Sequence, residues 1–213
     1  MAKKKKSSPS RKYLSQSEFP GITLERAIQV AQSIWSNFKA NKVQPQEVAQ
    51  SLDLAPSSIA WRNLCSSSAA YGLTIGGYGA DNIALTDIGR RIVAPIEEGE
   101  DRDAMIESIL KPRIMREFYQ KYNKAKFPSD EIAKNWLVSF GLPTTRTQEA
   151  LNILKENAVF TGITHVNKAG AFVTLGNTVI KSVNKSDEIS IPERFESAVF
   201  FSSPKENSLI PQA

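Results

Sequence analysis

The chain has one cysteine and one histidine among 213 residues. Cys65 has no internal disulfide partner, and His165 and Cys65 together are too few for a structural zinc site. A lone histidine also removes most catalytic layouts that depend on imidazole. No run approaches the roughly 20 apolar residues of a spanning helix. The basic N-terminus leads into Ser8-Pro9-Ser10-Arg11, not into an apolar signal core. Paired carboxylates in a setting suited to acid/base work are missing too, because the acids from Glu97 to Asp103 read as an exposed segment. The expectation is a non-enzymatic, cytoplasmic protein with no catalytic residues, metal, cofactor or membrane span.

Hydrophobic residues at 41% and charged residues at 23% are ordinary globular values, which argues against wholesale disorder or a coiled coil. The length suits one large domain or two small ones. The net charge of +5 is unevenly placed. Lys3, Lys4, Lys5, Lys6, Arg11 and Lys12 supply six of the 27 basic residues, with no acid among them. The remainder holds 21 basic against 22 acidic side chains and is balanced. Residues 1–19 therefore read as a disordered basic arm, either a tether to phosphate backbones or a solvated end. Within the body, an acidic stretch from Glu97 to Glu107 precedes a basic one from Lys111 to Lys126; solvated surface is the simpler reading of both.

Apolar spacing predicts a helix over 22–40, where Leu24, Ala27, Ile28, Ala31, Ile34, Trp35 and Phe38 share a face. Thr23 is its candidate cap. Pro45 suits the first position of a short second helix ending near Asp53, and a third is expected from Ser58 to Tyr71, stopped by Gly72. The period then changes. Leu73-Thr74-Ile75 and Asn82-Ile83-Ala84-Leu85 flank Gly76-Gly77-Tyr78-Gly79-Ala80-Asp81, the composition of a hairpin, before Thr86 caps a helix over 87–93.

The same order recurs. Helices are expected over 104–111 and 112–122, with Pro112 kinking one helix or starting another. Ser129 reads as the cap of 130–140, Gly141 as its stop, and 146–157 as a further helix. Phe160 to Val166 and Ala171 to Leu175 form a second hairpin signal around Asn167-Lys168-Ala169-Gly170. The expected fold is mainly α with small β-hairpins, an α+β class. Its divisions are the arm at 1–19, a first domain at 20–95, an acidic linker at 96–103, a second domain at 104–184 and a partly loose extension at 185–213.

The first unit resembles a winged helix-turn-helix domain. The resemblance rests on Pro45 to Leu52 as second helix, the turn Leu54 to Ser57, and Ser58 to Tyr71 as third helix. It also includes Leu85-Thr86-Asp87-Ile88-Gly89-Arg90, which is similar to the L-T-x-x-G-R ending of prokaryotic wings. Residues 104–176 look like a more divergent copy. The whole resembles tandem winged-helix proteins of bacteria and archaea, many without an assigned function.

The resemblance implies that third helices enter the major groove while wings touch backbone or minor groove. On matching positions it implies a DNA-facing set of Ser57, Ser58, Trp61, Arg62 and Cys65 in the first unit, with Tyr78 at the wing tip. In the second unit the set is Thr144, Arg146, Thr147, Lys155 and Lys168. The leading expectation is a DNA-binding protein, a transcriptional regulator assisted by its basic arm, nucleoid-associated in a prokaryote or nuclear in a eukaryote. The alternative is a protein-interaction adaptor or homodimer, because the first third-helix carries a single basic residue and a Ser66-Ser67-Ser68-Ala69-Ala70 run. Gly76 to Gly79 lacks the strand-loop-helix order of a phosphate loop and reads as a wing turn. His165 is expected to be structural. Trp35, Trp136 and, less simply, Tyr119 and Tyr122 are expected in the core.

Overall fold

The first apolar stripe becomes α1 (Leu24–Phe38), which buries Leu24, Ala27, Val30, Ala31 and Ile34. The structure, a computed structural model, describes Ser15, residues 17–167 and residues 170–175. The expected arm cations Lys3, Lys4, Lys5, Lys6, Arg11 and Lys12, the wing residue Lys168 and the extension at 185–213 lie outside the described residues. Trp35 corrects the core expectation: it sits off the buried stripe of α1 and is 39% exposed. Thr23 occupies the cap position, but its side chain makes no capping bond. The amide of Leu24 instead donates to Asn157 Oδ1 at 2.8 Å, so a residue 133 positions away satisfies a helix-start donor.

Helix α2 (Pro45–Ser51) starts with a reciprocal Gln44–Glu47 capping box that sequence reading did not identify. Helix α3 (Ile59–Ala70) follows, with Ser58 Oγ accepting from the Trp61 amide at 3.1 Å. Gly72, at φ +72°, lets the chain leave it. Strands β1 (Thr74–Ile75) and β2 (Ala84–Leu85) pair antiparallel, Thr74 opposite Leu85 and Ile75 opposite Ala84. Thr86 closes the unit. Its hydroxyl donates to Gly72 O at 2.6 Å and accepts from the Gly89 amide at 2.9 Å, which starts α4 (Asp87–Val93). Gly89 lies so near the Leu73 carbonyl that a Cβ there would strike it, giving the Leu85-to-Arg90 string a packing role.

The second half holds α5 (Glu100–Ile109), α6 (Arg113–Lys121), α7 (Asp130–Ser139), a 3-10 turn at Thr144–Arg146 and α8 (Thr147–Phe160). Strand β3 (Thr164–Asn167) then pairs antiparallel with β4 (Gly170–Val173), Thr164 opposite Val173. Two boundaries differ from expectation, and at Pro112 one of the two open alternatives holds. Glu100 to Asp103 form the first turn of α5, where acids complement the helix dipole, and are not linker. Pro112 precedes α6 as its cap residue and so opens a new helix. Helix α8 runs on to Phe160, until Gly162 at φ +68° ends it, so the strand begins later than its apolar text suggested.

The described residues thus form eight helices and two separate two-stranded hairpins, a mainly helical α+β arrangement. One apolar core takes Leu24, Tyr71, Leu73 and Ile88 from the first half and Ile109, Met115, Phe118, Leu137 and Leu154 from the second. Residues 96–103 therefore do not divide two cores. A smaller cluster surrounds Trp61 with Val30, Ile34, Val48, Leu64 and Ile83.

The join between halves is polar at its centre. Asn157, fully buried, accepts from Leu24 and donates to Tyr71 Oη at 2.8 Å. Tyr71 in turn donates to Ile22 O at 2.8 Å, and Ser108 Oγ donates to Tyr71 O at 2.7 Å. Burial pushes the Tyr71 hydroxyl well above the usual phenol range, with the Asn157 bond opposing it, so the phenol stays neutral.

Candidate functional site

The expected DNA-facing residues of the first half divide across α3. Trp61 must be corrected: it is fully buried among Val30, Ile34, Val48 and Leu64 and reaches no partner outside the fold. Helical spacing explains this, because Trp61, Leu64, Cys65 and Ser68 lie three, four and seven positions apart on one inward stripe. Ile59 and Arg62 are left on the outside. Ser57 is exposed, whereas Ser58 is half-buried with its hydroxyl occupied as the helix cap. Burial also pushes the Cys65 thiol up to about 12, which removes thiolate chemistry at neutral pH.

Arg62 is exposed, and its guanidinium carbon lies 5.6 Å from the centre of the Tyr78 ring. A cation at that distance over a phenol ring is attracted to it, which links the helix to the tip of the β1–β2 loop. Tyr78 is itself 47% exposed. Among the described residues no carboxylate pairs with Arg62. Ile59, one turn earlier on α3, is 74% exposed, and Ile75 on β1 is 60% exposed. From Leu54 to Leu85 the only carboxylate or basic side chains are Arg62 and Asp81.

The second set fares differently. Thr147 must be corrected as well, since it is buried and its hydroxyl donates to Thr144 O at 2.9 Å, closing the 3-10 turn onto α8. Thr144 and Arg146 are exposed on that turn. Arg146 lies 3.7 Å from Glu149, and Lys155 donates to Asp130 at 2.6 Å. The hydrogen bond from Lys155 holds the Asp130 carboxyl below its ordinary 3.8. Both cations assigned to this edge already have acids. The pairing of Lys155 with a residue 25 positions earlier has no local sequence signal.

No protein-family model, curated protein or solved structure matches the chain. Its chemistry must be read from its own residues. Among those described, no group of three His, Cys, Asp or Glu side chains could hold a metal ion. No described helix is long and apolar enough to cross a membrane. His165 is exposed on β3.

A further group of cations lies near the end of α6. Lys121, Lys124 and Lys126 are exposed at and after the end of α6, and none forms an ion pair with a described residue. Two upstream cations of this basic stretch are engaged, Lys111 with Glu107 at 3.2 Å and Arg113 with both Glu18 and Glu117. Tyr119 is fully buried, donating to Leu154 O at 2.7 Å, as the core expectation had it. Tyr122 and Trp136 are only half-buried.

Proposed function

We infer that the chain is a non-enzymatic DNA-binding protein of tandem winged-helix type, in which the first half does the reading. The observation that carries this is Arg62: an outward guanidinium without an acid partner, resting on the exposed Tyr78 of the adjoining hairpin. An arginine so placed can donate two parallel hydrogen bonds to guanine O6 and N7, worth about 1 to 3 kcal/mol of discrimination. The small Ser66, Ala69 and Ala70 side chains farther along α3 leave room for close approach to a groove. The cations at residues 3–12 add attraction to phosphate that carries no sequence information.

Fluorescence anisotropy of the full chain on a panel of random duplexes tests this. Arg62→Ala is expected to compress the spread of affinities across the panel by about five- to a hundredfold. Arg146→Ala should leave that spread unchanged. Equal weakening on every duplex after Arg62→Ala would remove its role as reader.

A second reading, as a protein-interaction adaptor, is favoured by one observation. Ile59 and Ile75 present apolar area beside a single cation, a composition nearer to a protein interface than to a phosphate track. A chain that binds no duplex at low salt, yet self-associates in sedimentation and loses that on Ile59→Ser, supports the adaptor.

A further inference from the structure

Phe118, at the heart of the second half, gathers a ring cluster at the end of α6. Its ring centre lies 4.9 Å from Tyr122, 5.4 Å from Phe127 and 5.3 Å from Trp136, and Trp136 stacks on Phe140 at 4.0 Å. Phe118 is buried, whereas the four partners are only half-buried, so the cluster reaches the surface. Over it sits Lys121, whose Nζ is 5.6 Å from the Tyr122 ring centre and 6.0 Å from that of Trp136.

The chain then turns back along β4, which fixes two more cations. Lys124 adopts a left-handed backbone at φ +60° and donates its amide to Val173 O at 2.8 Å. Lys126 bridges to Phe172, and its stem runs so close to Gly170 that a side chain there would displace it. The Lys121 ammonium thus lies over the aromatic cluster and that of Lys126 beside the β3–β4 hairpin, with Lys124 between them in sequence on backbone bonded to β4. Two nearby acids in the chain are engaged elsewhere, Glu117 by Arg113 and Asp130 by Lys155.

We propose that Lys121, Lys124 and Lys126, with the half-buried rings of Tyr122, Trp136 and Phe140, form a binding surface for single-stranded nucleic acid. Phosphates would meet the ammonium groups while unpaired bases rest against the rings, the combination by which single strands are held without regard to sequence. A duplex hides its base faces and could use the charges alone. A surface built only for charge has no use for partly exposed aromatic rings beneath the lysines. This surface is separate from the α3 edge and does not rest on the reading of Arg62.

The test uses the full chain and three fluorescent probes of equal length: oligo(dT), an abasic oligomer and a duplex. Oligo(dT) should bind at least about fivefold more tightly than the abasic strand, the lower bound for one base stacked on a ring. Combined Lys121→Gln, Lys124→Gln and Lys126→Gln should weaken oligo(dT) binding about tenfold or more at low salt and flatten its salt slope by about 2. Lys42→Gln, at an exposed cation on neither surface, should leave oligo(dT) binding unchanged, and the α3 reading is scored separately on duplex. Circular dichroism checks that the glutamine variant is folded, as expected for three exposed positions. Equal affinity for oligo(dT) and the abasic strand would overturn the proposal, as would oligo(dT) binding indifferent to the three substitutions. Lysine-dependent binding to phosphatidylserine vesicles without any to oligo(dT) would also overturn it, in favour of a lipid surface.

Discussion

On α3 the outward stripe carries Arg62 with no described acid against it. In the second half, Arg146 on the turn before α8 and Lys155 on α8 each lie against a carboxylate. The two halves share an order of elements but not a surface chemistry. Charge neutralised by a neighbour costs little to keep and offers little to a partner, because a new ligand must first displace the existing acid. The two edges therefore differ in how their described cations are held. Lys121, Lys124 and Lys126, without ion pairs to described residues, lie at and after the end of α6.

That comparison assumes two halves folding as one body, and Asn157 tests the assumption most severely. Asn157→Ala leaves the Leu24 amide without its buried acceptor and removes a donor from Tyr71, at a cost of about 3 kcal/mol. Because the core is shared, calorimetry should show a single transition at lower temperature. Two separated transitions, only one of them shifted, would break the halves into independent domains.

Gly89→Ala is expected to cost about 1 to 3 kcal/mol, since the new methyl meets the Leu73 carbonyl, a backbone atom that cannot rotate aside. Urea titration measures it. An unchanged midpoint would deny the Leu85-to-Arg90 string its packing role and leave the two halves more alike than the closing turn of the first suggests.

Much of the frame was legible because its signals are local. Thr86 caps α4, Gly72 and Gly141 stop their helices at φ +72° and +93°, and both hairpins form where apolar runs flank turn residues. The facing of α3 was not legible. It buries Ser67 and Ser68 and exposes Ile59, so polarity no longer marks the inner stripe and Trp61 could be placed on either side. Trp35 misled in the opposite sense, an apolar residue just off a strong stripe. Asn157 and the Lys155–Asp130 pair depend on partners 133, 86 and 25 positions away, distances over which sequence spacing carries no geometric information. The shared core was likewise invisible, because an acidic stretch at 96–103 reads the same whether it links two bodies or begins a helix.

The smallest effect bears most directly on the contrast between edges. Asp130→Asn removes the charge that occupies Lys155 and should return one cation to α8. The pair is exposed, so little stability is lost. Duplex binding should strengthen slightly on all sequences, with a salt slope steeper by about 0.9. Acid acts in the same direction. The folded-state pKa of Asp130 lies below its ordinary 3.8, so the pair's contribution is complete above that value and is lost as pH falls through the lower one. At neutral pH the ammonium therefore stays engaged, and substitution is the practical way to free it. A salt slope unmoved by Asp130→Asn would mean that the silence of α8 lies in its shape and not in its pairing.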